Sequence, residues 1–130
     1  MFKGVIIKQQ IMQNRHKAYM HDARDTSVPE IKTIEDYHNA LKNPRVLIDF
    51  FAAWCPPCKK VTPIFDQWSK KYKNYSFFIL DIENEDLEDI VVENKVQVLP
   101  TFVVYKSGKR VERIKGKKES RIMEYLNGEK

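Results

Sequence analysis

Cysteine is nearly absent from this 130-residue chain, which has only Cys55 and Cys58, three positions apart. One neighbouring pair cannot build a disulfide framework, which excludes a small secreted domain stapled by several bridges. Histidine is equally scarce, with His16, His21 and His38 and no H-x-x-x-H pair. A structural zinc site needs two ligands beyond a C-x-x-C half-site, and no second such pair exists, so no metal is expected. No run approaches 18 apolar residues, so no membrane span is expected. Internal repeats and low-complexity tracts are also missing. Whatever thiol chemistry the chain performs belongs to one pair.

Apolar residues at 42% and charged residues at 32% are ordinary for a folded chain, and the length suits one domain. The net charge of +5 is unevenly spread. Residues 81–94 carry Asp81, Glu83, Glu85, Asp86, Glu88, Asp89 and Glu93 with no base, whereas residues 95–130 carry ten bases against four acids. A basic stretch raises nucleic-acid binding. Here no aromatic residue falls among the bases from Lys106 to Arg121, and no nucleic-acid motif is present. A solvated basic face is therefore expected, with docking of an acidic partner as the second option.

Residues 1–29 stand apart as an extension. No acid precedes Asp22, Lys3, Lys8, Arg15 and Lys17 add positive charge, and Val5, Ile6, Ile7, Ile11 and Met12 fall loosely on one helical face. The pattern suits an amphipathic organelle-targeting segment, although serine and arginine are few. It suits an added helix, a flexible extension or a site for an assembly partner equally well. The expected compartment is the cytoplasm, or a mitochondrion or other organelle if this segment is a targeting signal. "GVII" is too short for the apolar core of a secretory signal.

Residues 30–130 form the predicted folded domain. "EIKTI" (30–34) reads as a short strand, and "EDYHNALKN" (35–43) as a helix starting near Thr33 or Ile34 and stopped by Pro44. "RVLIDFFA" (45–52) and "YSFFILDI" (75–82) are almost wholly apolar, the mark of strands buried on both faces. Between them, Val61, Ile64, Phe65, Trp68 and Tyr72 recur at helical spacing over 57–73, with Pro63 predicted to kink that helix. A helix over 84–95, a hairpin of 101–106 and 110–115 around "SGK", and a helix over 118–126 complete the pattern. The order β-α-β-α-β-α-β-β-α implies an α/β domain with a mixed central sheet of about five strands flanked by about four helices.

The chemistry concentrates in "DFFAAWCPPCKK" (49–60). Cys55 sits where a buried strand gives way to a helix. As an N-cap, its sulfur would face the free N–H groups of the first turn, especially that of Cys58, and thiolate would be favoured over thiol. A thiolate attacks disulfides, and a second thiol one turn away resolves the mixed disulfide. Pro56 and Pro57 fit a first turn, whose N–H groups have no helical partner, but Pro56 gives up a donor that another residue would aim at the sulfur. Asp49 lies in the buried strand. It reads either as a satisfied buried carboxyl or as a proton relay for the second thiol, its pKa raised by desolvation.

Taken together these residues resemble the thioredoxin family over roughly residues 31–127. The resemblance rests on "LIDFFAAWCPPCK", Pro63 five residues after the second cysteine, "VLPT" (98–101), "KSGK" (106–109), and Gly116 eight residues beyond Gly108. It implies the thioredoxin fold, with Cys55 attacking, Cys58 resolving and Asp49 relaying protons. It further implies a cis bond at Pro100, backbone hydrogen bonds from Leu99 to an extended substrate, and a docking surface of Trp54, Leu99 and Gly116 beside Pro56 and Pro57. The implied activity is reduction of protein disulfides with no bound cofactor beyond the Cys55–Cys58 redox pair. Its partners would be disulfide-containing clients and an NADPH-dependent reductase. A disulfide oxidase or isomerase, and a thioredoxin-like binding subunit of a larger assembly, are the alternatives.

Three departures stand out. Pro56 replaces the usual glycine, giving the W-C-P-P-C form that also occurs in tryparedoxin- and nucleoredoxin-type proteins. Those usually carry longer insertions than the 45 positions from Cys55 to Pro100, so length favours plain thioredoxin. "SFFIL" (76–80) lacks the lysine that many members place near the buried acid, so Asp49 is expected to be more fully desolvated. Lys115 and Lys117 flank Gly116 where small or apolar residues are more usual.

Overall fold

The two apolar runs lie side by side at the centre of one sheet in the computed structural model, which describes residues 23–130. The described elements are β1 (Glu30–Ile31), α1 (Ile34–Ala40), β2 (Arg45–Phe51), α2 (Pro56–Lys71), β3 (Ser76–Asp81), a 3-10 turn (Glu85–Leu87) leading into α3 (Glu88–Glu93), β4 (Thr101–Lys106), β5 (Lys109–Lys115) and α4 (Glu119–Leu126). The strand order is β1-β3-β2-β4-β5. β1, β3 and β2 run parallel, while β4 is antiparallel to both β2 and β5. The ends of β2, β3 and β5 and the start of β4 therefore share one end of the sheet. Six consecutive residues of β2 are buried, as a strand covered on both faces requires.

The register shows which face lies beneath α2. Leu47 pairs with Phe77 and Asp49 with Phe102, and cross-strand partners share a face. Phe65 of α2 packs its ring against both, at centroid distances of 5.2 Å to Phe77 and 5.8 Å to Phe102. Asp49 therefore projects toward the helix that begins at the cysteines. The buried stripe of that helix is Cys58, Val61, Thr62, Phe65 and Trp68, the spacing of a single helical face. Cys58 is the first residue of this stripe. The helix continues through the exposed Pro63, at the turn where an i–4 hydrogen bond is lost.

Some elements are shorter than the patterns suggest. β1 stops at Ile31 because the Asp36 carboxylate takes the N–H groups of Lys32 (3.0 Å) and Thr33 (3.2 Å) away from any ladder. Thr33 in turn caps α1 by accepting from the Asp36 N–H at 3.0 Å. The acidic stretch opens as a 3-10 turn because the Asn84 side chain accepts from the Asp86 N–H. The hairpin has a two-residue loop with positive φ at Ser107 (52°) and Gly108 (79°), the primed turn that matches strand twist.

Residues 23–28 are tied to the domain. Ala23 and Val28 are buried. Asp66 of α2 accepts from Thr26 Oγ1 (2.7 Å), Ser27 N (2.9 Å) and Ser27 Oγ (2.8 Å), and pairs with Lys70 at 3.0 Å. Arg24 bridges to Asp81 and, at 3.4 Å, to Glu30, with its guanidinium 5.5 Å from the centroid of the Phe51 ring. The remainder of the extension, residues 1–22, lies outside the described residues, and with it the targeting and assembly readings. The hydrogen bonds from Thr26 and Ser27 hold the Asp66 carboxyl below the ordinary carboxylate range. A lowered folded-state pKa contributes stability above the ordinary carboxylate pKa and loses it as pH falls through the lowered value. Asp66→Ala is therefore expected to cost about 1–2 kcal/mol near neutral pH. The difference should close under strongly acidic conditions, as urea titrations at neutral and acidic pH would record.

Candidate functional site

Beyond Phe51 the chain turns at Ala52, whose carbonyl accepts from the Cys55 N–H at 3.1 Å. Cys55 then adopts extended angles (φ −76°, ψ 115°) and caps α2, its sulfur accepting from the Cys58 N–H at 3.3 Å. Pro56 and Pro57 fill the first two helical positions and are exposed. Neither has an N–H, so the amide of Cys58 is the first of the helix able to reach the sulfur. The two thiols are not joined, and both residues are buried.

The environment drives the two sulfurs apart. Hydrogen bonding from the Cys58 side chain, with further help from the Cys58 backbone and the charge of Lys59, outweighs burial and lowers the pKa of Cys55. Cys58 moves the opposite way. Its hydrogen bond to Cys55 and its burial favour the protonated form, and the charge of Asp49 adds to this, while a backbone hydrogen bond from Ala52 opposes it. One sulfur is turned toward thiolate while the other is held as thiol.

Asp49 is 2% exposed, and its Oδ1 has no hydrogen-bond partner among the described residues. Desolvation first, and the negative charge of Cys55 second, push its pKa up from 3.8 to about 8. Ile79 stands opposite it on β3, and no cation lies in that strand. The carboxyl is thus poised to exchange a proton near neutral pH.

The remaining sequence-predicted residues come to the same end of the sheet. The Leu99–Pro100 bond is cis, and Pro100 immediately precedes β4, whose first residue pairs with Phe50. The Gly116 N–H donates to the Pro100 carbonyl at 2.8 Å, binding the loop after β5 to the loop before β4. Gly116 has a φ of +83°, which disfavours other residues, and nothing lies within 4 Å of where a Cβ would stand. Trp54 and Leu99 are half-buried against the core. Sequence pattern alone does not mark Lys59, yet its charge acts on Cys55; its position four residues along the helix from the N-cap is the signal that points to it. Among the described residues no group of His, Cys, Asp and Glu is placed to hold a metal ion, and no helix is long and apolar enough to cross a membrane.

A capped dithiol with opposed proton affinities, set over a buried carboxyl at the end of a mixed five-stranded sheet, is the equipment of thiol–disulfide exchange. Comparison with known proteins agrees. The thioredoxin family model matches residues 28–128. A thioredoxin-like protein of Acanthamoeba polyphaga mimivirus is 40% identical over 69% of this chain and 68% of its own length. Thioredoxin-1 of Saccharomyces cerevisiae is 32% identical over 76% of this chain and 95% of its own. Among solved structures, mitochondrial thioredoxin 3 of Saccharomyces cerevisiae, in oxidised form, superposes with a TM-score of 0.71 at 28% identity, covering 78% of this chain and 95% of that one. The chain belongs to the thioredoxin family and is a thiol–disulfide oxidoreductase.

Proposed function

We propose that the protein works as a reductant of client disulfides. The Cys55 thiolate attacks one client sulfur, forming a mixed disulfide and releasing the other client sulfur as a thiolate that takes up a proton. Asp49, in its ionised form, accepts the proton of Cys58, and the resulting Cys58 thiolate attacks Cys55 Sγ. The Cys55–Cys58 disulfide forms, and the second client thiolate leaves and is protonated. Two electrons have passed to the client, and an NADPH-dependent reductase returns two to the protein. The cis-Pro100 loop and the half-buried Trp54 and Leu99 offer the surface against which an extended client segment lies.

The observation that carries the direction is the helix start. Prolines at its first two positions leave the Cys58 amide as the nearest backbone donor to Cys55 Sγ. Strong oxidants of this chemistry owe their potential to a heavily stabilised thiolate in the reduced form. Sparse donation stabilises the dithiol less and keeps the couple reducing. Equilibration with dithiothreitol redox buffers is expected to give a potential near about −270 mV, and a value between about −180 and −120 mV would instead assign an oxidase or isomerase.

A further inference from the structure

The strand order separates the charge clusters of the sequence onto opposite flanks of the dithiol. β3 runs parallel to β2, so the segment leaving it emerges at the Cys55 end, where Glu85, Asp86, Glu88 and Asp89 are exposed. β5 ends on the other side of the sheet at that same end, and it delivers the exposed Lys115, Lys117 and Lys118. Lys115 stands opposite Thr101, next to the cis-proline, and Lys117 follows the residue whose amide holds the Pro100 carbonyl at 2.8 Å. Lys59 and Lys60 add two further cations on the first turns of α2. Other bases are committed, as Arg121 is to Glu112 and Glu124 at 2.8 and 2.9 Å, and Lys70 to Asp66 at 3.0 Å. By contrast, Lys59, Lys60, Lys115, Lys117 and Lys118 have no carboxylate partner among the described residues. Unneutralised charge beside a binding surface steers and selects its partner.

Building on the reductase reading, we infer that the protein prefers clients whose disulfide is flanked by acidic residues on the side lying over the Gly116 loop. The opposite acidic flank repels such residues and so sets the direction in which the segment lies. The same flank disfavours a nucleic-acid strand, whose charge is continuous and would cross both sides.

Single-turnover reduction of three peptide disulfides of equal length, flanked by Glu, by Lys or by Ser, tests this at low and high salt. The acidic peptide should react about tenfold faster than the basic one at about 20 mM salt, the gap closing to about twofold at about 500 mM. Lys115→Glu with Lys117→Glu should invert the order, and the milder Lys115→Gln with Lys117→Gln should flatten it. Equal rates for all three peptides at both salts would overturn the inference, as would a short oligonucleotide that binds the reduced protein more tightly than the acidic peptide. Failure of the unaltered protein to reduce even the Ser peptide would instead remove the reductase reading.

Discussion

Asp49→Asn is expected to stabilise the folded protein while impairing its turnover. In the native state the carboxyl is pushed up from 3.8 to about 8, chiefly because burial penalises its charged form. Between those values the unfolded chain has released a proton that the folded chain retains. A raised carboxyl pKa therefore lowers stability progressively as pH climbs from about 4 to about 8, and the loss is complete above that. Near pH 7, about three pH units above the unfolded value at about 1.4 kcal/mol each, the penalty is on the order of 4 kcal/mol. Asparagine keeps the shape and cannot ionise, so the stability gap between variant and parent should be near zero below about pH 4 and widen toward about pH 8. Urea titrations across that range would record it. A parallel pair of curves would mean that Asp49 titrates normally. The same substitution removes the acceptor for the Cys58 proton, so release of the mixed disulfide should slow about tenfold to a hundredfold. Attack by Cys55 should change much less.

The two cysteines are expected to fail in different ways. Cys55→Ser removes the attacking sulfur, since a serine hydroxyl stays protonated at neutral pH and forms no S–S bond. Reduction of a protein disulfide should fall by at least about a thousandfold. Cys58→Ser leaves the attacking sulfur but no resolving thiol, so the first step proceeds and the mixed disulfide accumulates. That adduct should be visible on non-reducing gels and should disappear on adding dithiothreitol. The serine hydroxyl can still donate to Cys55, so attack itself should change little, whereas Cys58→Ala removes the largest influence lowering the Cys55 pKa and should also slow attack at mildly acidic pH. Reversed phenotypes would exchange the two roles.

Much of this arrangement was legible in the residues, and the illegible parts share a cause. The apolar runs around Leu47 and Phe77 announced strands covered on both faces, and the strand-to-helix transition at Cys55 announced an N-cap. Asp49 was visible as a carboxyl in a buried strand. That it faces α2 required the pairing of Asp49 with Phe102 and the packing of Phe65 on that ring, which no single segment encodes. The docking of Thr26 and Ser27 on Asp66 joins positions about 40 apart through short polar side chains that leave no periodic trace. The shortening of β1 and the 3-10 opening of the acidic stretch came from Asp36 and Asn84 side chains competing for backbone N–H groups. The opposition of acidic and basic flanks was present as two runs of charge. Only the strand order placed them on either side of the cysteines.

The central claim is that a single helix start turns Cys55 toward thiolate and holds Cys58 as a thiol. Alkylation of the reduced protein with iodoacetamide across pH, with each modified cysteine located by mass spectrometry, tests it most directly. The expected result is modification of Cys55 alone at neutral pH, with an apparent pKa below the roughly 8.5 of an ordinary thiol, and no reaction at Cys58 until the protein unfolds. Reaction of Cys58 first, or of both sulfurs together near the ordinary value, would contradict it.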